Sequence, residues 1–270
     1  MADLYAAITD DAVNRIINFV HARAPYLFNY VAPSVRIDKD QSGNLVMQDL
    51  WVTCSPVPDT PRGIPKYRRI PPFQLPGIAV KLPCSIQLID LTIDFHPGDI
   101  VTLPAQLNPP LAAQRFALNA MVQFGLACVP PEAVRLEGLS RYGLNADYAR
   151  RLEVLPVDSL ECFLIQIFAI GHLFVETKPP TPTPLQNIRV AVDGLEIVDI
   201  EPKGLEQAVE CYLVAMLKGA ILPEIVLGLE RIPVNALGIQ AVTPSLTPGL
   251  PNNPAVEQNE LRVWLDLAFS

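Results

Sequence analysis

In the run Ile89-Asp90-Leu91-Thr92-Ile93-Asp94-Phe95-His96 every second residue is apolar and the residues between are polar. Period two with one wet face describes an antiparallel strand lying over a core. Phe116 to Phe124 alternates in the same way, with small or flexible residues on its second face. Leu160 to Val175 is apolar on both faces and is expected at the centre of a sheet covered on both sides. It carries Glu161, Gln166 and His172 and falls short of the ~20 residues a membrane helix needs. The chain is therefore not expected to be an integral membrane protein. Val35 to Asp38 and Leu45 to Thr53 read as a hairpin about Asp40-Gln41-Ser42-Gly43-Asn44. Ile188 to Ile200 is a further strand, with Asp193-Gly194 as a turn or bulge. Ile225 to Val242 and Leu261 to Phe269 complete the set.

Two stretches carry helical periodicity instead. Ile8 to Arg23 has Ala12, Val13, Ile16, Ile17 and Val20 as its apolar stripe, with Thr9, Asp10 and Asp11 as N-cap candidates. Leu205 to Leu222 places Leu205, Ala208, Val209, Tyr212, Leu213, Met216, Leu217 and Ala220 at steps of three and four. Many strands and few helices give an α+β class: a long curved antiparallel β-sheet wrapped around amphipathic helices. One domain spanning 1–270 is expected, with a weak subdivision near 132–151. Pro179 to Pro184 has the composition of a stiff connector, and an ordinary inter-strand loop is the reading preferred for it.

Charge narrows the partners. A net charge of −8 excludes nucleic acid, which demands Lys and Arg to neutralise phosphate. The start Met-Ala-Asp-Leu-Tyr has no basic n-region and no signal-peptide core, so the expected location is the cytoplasm or export by a non-classical route. The five cysteines are far apart and odd in number. Most of them lie in apolar context and read as small core hydrophobes, and a reducing compartment is the simplest inference.

Catalytic patterns are missing from the sequence. No GxGxxG, GxxxxGKS or GxSxG occurs. His21, His96 and His172 have no metal-ligand spacing, so no metal and no cofactor is expected. Asp90 and Asp94 read as the wet face of their strand. Were the chain an enzyme, Asp90, Asp94, His96 and Asp99 would be the residues to examine first.

Three of these elements together resemble the tubular lipid-binding superfamily. The opening Ala7-Ile8-Thr9-Asp10-Asp11-Ala12-Val13 is similar to that family's A-x-I-T-x-x-G-L start, with Ala12 where the family has glycine. The long alternating strands and the helix Leu205 to Leu222 are the other two. The signal-less character is similar to bacterial members associated with clostridial neurotoxin gene clusters. The family's conserved disulfide is not recognisable in this sequence. The resemblance implies a non-enzymatic protein that holds a lipid, a fatty-acid-like molecule or another hydrophobic guest in an apolar groove between sheet and helices. The lining expected from the pattern is Ile89, Leu91, Ile93, Phe95, Phe116, Leu118, Val122 and Phe124, with Tyr212, Leu213, Met216 and Leu217 from the second helix. The alternative is a structural or assembly subunit of a toxin-associated or secreted complex. Its core would be solid, and its partner another protein or a second copy of the chain.

Overall fold

The computed structural model describes residues 2–57, 59–61, 63–74, 81–127, 157–177, 186–198, 226–228, 239–245 and 252–269. In chain order the strands are β1 (Leu4–Thr9), β2 (Asn29–Ala32), β3 (Ser34–Lys39), β4 (Leu45–Leu50), β5 (Arg68–Arg69), β6 (Phe73–Gln74) and β7 (Lys81–Leu82). There follow β8 (Cys84–Phe95), β9 (Arg115–Leu126), β10 (Glu161–Thr177), β11 (Gln186–Val198), β12 (Val226–Gly228), β13 (Ile239–Pro244), β14 (Ala255–Glu257) and β15 (Glu260–Phe269). The helix α1 (Asp10–Arg23) follows β1 without a linker. Thr9 ends the strand and also caps the helix, its Oγ1 accepting from the Ala12 N–H at 3.3 Å.

The larger sheet has the order β12-β11-β10-β9-β8-β2-β5 and curls into a half-barrel. All its pairs are antiparallel except β2 with β5. The second sheet has the order β1-β15-β13, with β14 also on β15. The expected hairpin is present as β3–β4, where Asp40 accepts from the Ser42 and Asn44 N–H groups and holds the loop. A second tight hairpin joins β14 to β15 through Gln258 and Asn259, both at positive φ, the geometry of a two-residue type I′ turn.

Two bulges decide which residues share a face. The register of β8 on β9 shifts between Leu88 and Asp90, which leaves Ile89 unpaired. The inward set therefore changes parity, from Cys84, Ile86 and Leu88 before the bulge to Leu91, Ile93 and Phe95 after it. In β11 the skipped residue is Asp193, and the inward set changes from Ile197 and Leu195 to Val190 and Ile188. One apolar face thus runs the length of the sheet. At one end it is a cluster around Phe73, Phe124 and Ile165. At the other, Phe95, Phe116 and Ile188 pack under Val256, Leu261 and Leu265 of the second sheet. The opposite face is covered too, where Leu107 and its neighbours in 101–111 pack on Phe168 and Ile170.

This architecture corrects the α+β expectation. The protein is mostly β-sheet, and among the described residues α1 is the one α-helix. It plugs no tube. It lies along β8 where β2 has ended, and Asn14 clasps the strand there, donating to the Ile93 carbonyl and accepting from the Ile93 N–H, both at 2.8 Å. An amide side chain stands in for a neighbouring strand and covers a sheet edge. The apolar face needs no helical plug at the Phe95 end, because the second sheet fills that place. Leu205 to Leu222, 132–151 and Pro179 to Pro184 lie outside the described residues.

Candidate functional site

The residues expected to line a cavity divide into three groups. Leu91, Leu118, Val122 and Phe124 belong to the first core cluster, and Ile93, Phe95 and Phe116 to the second. Phe124 retains 1% of its surface and Val122 4%. Phe95, Phe116, Val122 and Phe124 are buried in packed clusters, while Leu91, Ile93 and Leu118 are half-buried against them. Ile89 is pushed out by its bulge and is 45% exposed. Tyr212, Leu213, Met216 and Leu217 lie outside the described residues.

Ile89 faces a groove of about 230 Å³ between the C-terminal half of α1, strand β8 and residues 55–57 and 59–61. Apolar wall comes from Ala22, Pro25, Val57, Leu88 and Ile89. The polar floor is a closed network. Gln87 accepts from the Ser55 N–H at 2.8 Å and donates to the Ser55 carbonyl at 2.9 Å and to Asn29 Oδ1 at 3.3 Å. Asn29 in turn donates to the Pro25 carbonyl at 2.7 Å. Ser55 Oγ bonds to Gln123, and His21 Nε2 bonds to the Leu88 carbonyl. Serine and histidine are thus each engaged elsewhere and do not form a nucleophile–base pair. Asp59 on the rim pairs with Lys66 at 2.6 Å, which holds its carboxyl below the ordinary range. A smaller void shares His21, Leu88 and Ile89 and extends the groove along Ile17 and Leu91.

A disulfide fixes the segment beside this floor. Cys54 is bonded to Cys162 at the start of β10. This pairs two of the five cysteines, where most are expected to be small core hydrophobes in a reducing compartment. Pairing across 108 residues leaves no local spacing to recognise. Cys84 does sit in the core as expected, and Cys128 and Cys211 are outside the described residues.

The four acid–base candidates separate as well. Asp90 is exposed, but Asp94 is 0% exposed, so the wet-face reading fails for it. Its carboxylate accepts from the backbone N–H groups of Asp99, Ile100 and Val101 at 3.3, 3.0 and 2.7 Å and folds that loop back on the strand. One carboxylate oxygen from each of Asp10, Asp94 and Asp99 lies within 4.8 Å of the other two. His96 is not part of this set, and its buried Nδ1 has no hydrogen-bond partner. Asp10, read from sequence only as a capping residue, is 5% exposed, and its Oδ2 is buried without a partner. Burial pushes the Asp10 carboxyl above its ordinary value. The charges of Asp94 and Asp99 push the same way, against the pull of the Asp11 and Phe95 backbone N–H groups.

No protein-family model matches the chain, and neither the curated proteins nor the solved structures contain a significant match to it. The likeness to the tubular lipid-binding proteins therefore rests on the sequence pattern alone.

Proposed function

We propose that the chain binds a small hydrophobic molecule, without catalysis, in the groove between α1 and β8. The observation that supports this is the 230 Å³ groove itself, with an apolar wall, a satisfied polar floor and Arg23 at its rim. Drug-sized ligand sites enclose about 300–1,000 Å³, so the guest is short, or only the end of a longer chain enters. Each buried methylene contributes about 0.8 kcal/mol. Arg23, whose guanidinium stands 5.5 Å from the Phe19 ring centre, suits a guest with a carboxylate end. Native mass spectrometry of the purified protein, followed by an NMR titration with octanoate and octanol, tests the reading. Amide shifts confined to 21–29, 55–61 and 87–89, lost on Ile89→Arg, are expected. Shifts scattered over the surface, or unchanged by that substitution, would refute it.

One observation favours the assembly alternative. Ile16 and Phe19 are adjacent on the outward face of α1, 52% and 63% exposed. An apolar pair on a helix surface is a contact for a partner protein or a second copy. Light scattering separates the two readings: a monomer that takes up octanoate supports the groove, and a dimer dispersed by Phe19→Glu supports assembly.

A further inference from the structure

We infer that Asp10, Asp94 and Asp99 hold a divalent cation of the calcium class, which ties the start of α1 to the loop after β8. The three carboxylates come from three places: the first turn of α1, the end of β8, and the loop that β8 leads into. Three negative charges within 4.8 Å, two of them on buried residues, repel one another strongly in a poorly hydrated setting. Among the described residues no Lys or Arg is ion-paired to any of them.

Each acid has a local role, but those roles leave an oxygen over. Asp94 organises its loop through the three N–H bonds already given. Asp10 Oδ1 accepts from the Asp11 N–H at 2.7 Å, as a first-turn aspartate does. Asp10 Oδ2 is the remainder, buried and outside hydrogen-bonding geometry with any donor, with the Phe95 N–H the backbone group that pulls on this carboxylate from the strand side. Burying such a group unsatisfied costs free energy that a cation would recover. A further unpartnered buried oxygen, Asn259 Oδ1, belongs to the turn whose backbone carbonyl accepts from the Asp10 N–H at 3.2 Å.

The donor set names the class of ion. All three ligands are hard oxygens, which suit calcium, magnesium or manganese and not zinc or copper. Calcium tolerates several carboxylates in irregular geometry, whereas magnesium demands an octahedron and keeps most of its waters. Exposed Asp99 leaves one side open for water ligands.

The test is thermal unfolding of the full chain in EDTA and in ~1 mM calcium, within the range of extracellular calcium modules, with calorimetric titration for stoichiometry. Calcium is expected to raise the midpoint of wild type and of Asp90→Asn by several degrees, at one site per chain. Asp99→Asn, at an exposed position that folding tolerates, is expected to lose the rise. Asp10→Asn is expected to lose it too, and to melt above wild type in EDTA because one repelling charge is gone. No rise in wild type with calcium, magnesium or manganese would overturn the proposal and leave a shared proton as the balance of charge. An equal rise in Asp99→Asn would overturn it as well, since that marks adventitious surface binding.

Discussion

Cys162 and Gly125 face each other across β10 and β9, and a methyl group on Gly125 would come within 2.5 Å of Cys54 Sγ. The glycine is the space in which the disulfide sits. Gly125→Ala should therefore destabilise by about 1–3 kcal/mol, the usual cost of overpacking. Urea denaturation measures it, and a wild-type midpoint would show that the bridge is not packed against this position.

Reduction should also destabilise the protein. Closing a loop of 108 residues constrains the unfolded chain by an amount that the entropy model puts near 4.7 kcal/mol, with removal of native bridges typically costing about 2–5. Thermal melts with and without dithiothreitol, repeated on Cys54→Ser/Cys162→Ser, should show the same drop. A melt indifferent to reductant would mean that the two sulfurs are not joined.

The bulge in β8 predicts a contrast between two apolar residues that sequence alone treats alike. Phe124→Ala empties packed core and should cost about 3–5 kcal/mol. Ile89→Ser removes an exposed side chain and should stay within about 0.5 kcal/mol. It should still weaken any guest in the groove. Equal losses from the two substitutions would place Ile89 inside and remove the bulge.

Asp94→Ala should expose the cost of three backbone donors left without an acceptor. Asp99 and Ile100 are exposed and their N–H groups can turn to water, so the cost is set mainly by the half-buried Val101 N–H, about 1–3 kcal/mol. Hydrogen exchange at Asp99, Ile100 and Val101 should accelerate, while Asp90→Ala leaves it unchanged. Protection retained in Asp94→Ala would show that the loop is held by other contacts.

What could be read from the residues was local. Alternation located β8, β9 and β15, the Asp40–Asn44 loop located the β3–β4 hairpin, and Thr9 with its aspartates located the start of α1. Asp193-Gly194 reads as a turn or bulge, and Asp193 is the bulge in β11. Alternation puts Ile89 on the interior face, and the bulge turns it outward to the groove, because an inserted residue changes which face its neighbours use and an isoleucine reads the same either way. Leu4–Thr9 was not recognised as a strand. Its partner is β15, at the other end of the chain, and the preference shows only in that pairing. The acidic cluster is hidden from the sequence for a similar reason: Asp10 is a convincing cap on local grounds, and nothing near it announces Asp94. The groove depends on packing between α1 and residues 55–57 and 59–61, which no periodicity describes.

Because Thr9 belongs to β1 and to α1 at once, the helix has no hinge at its root. Fourteen residues at 1.5 Å each make it a rod of about 21 Å, welded to the β1–β15 ladder at one end and flanked by the groove at the other. Asp10 stands at the root of this rod and His21, Ala22 and Arg23 at its groove end. One continuous element thus spans the distance between the acidic cluster and the groove.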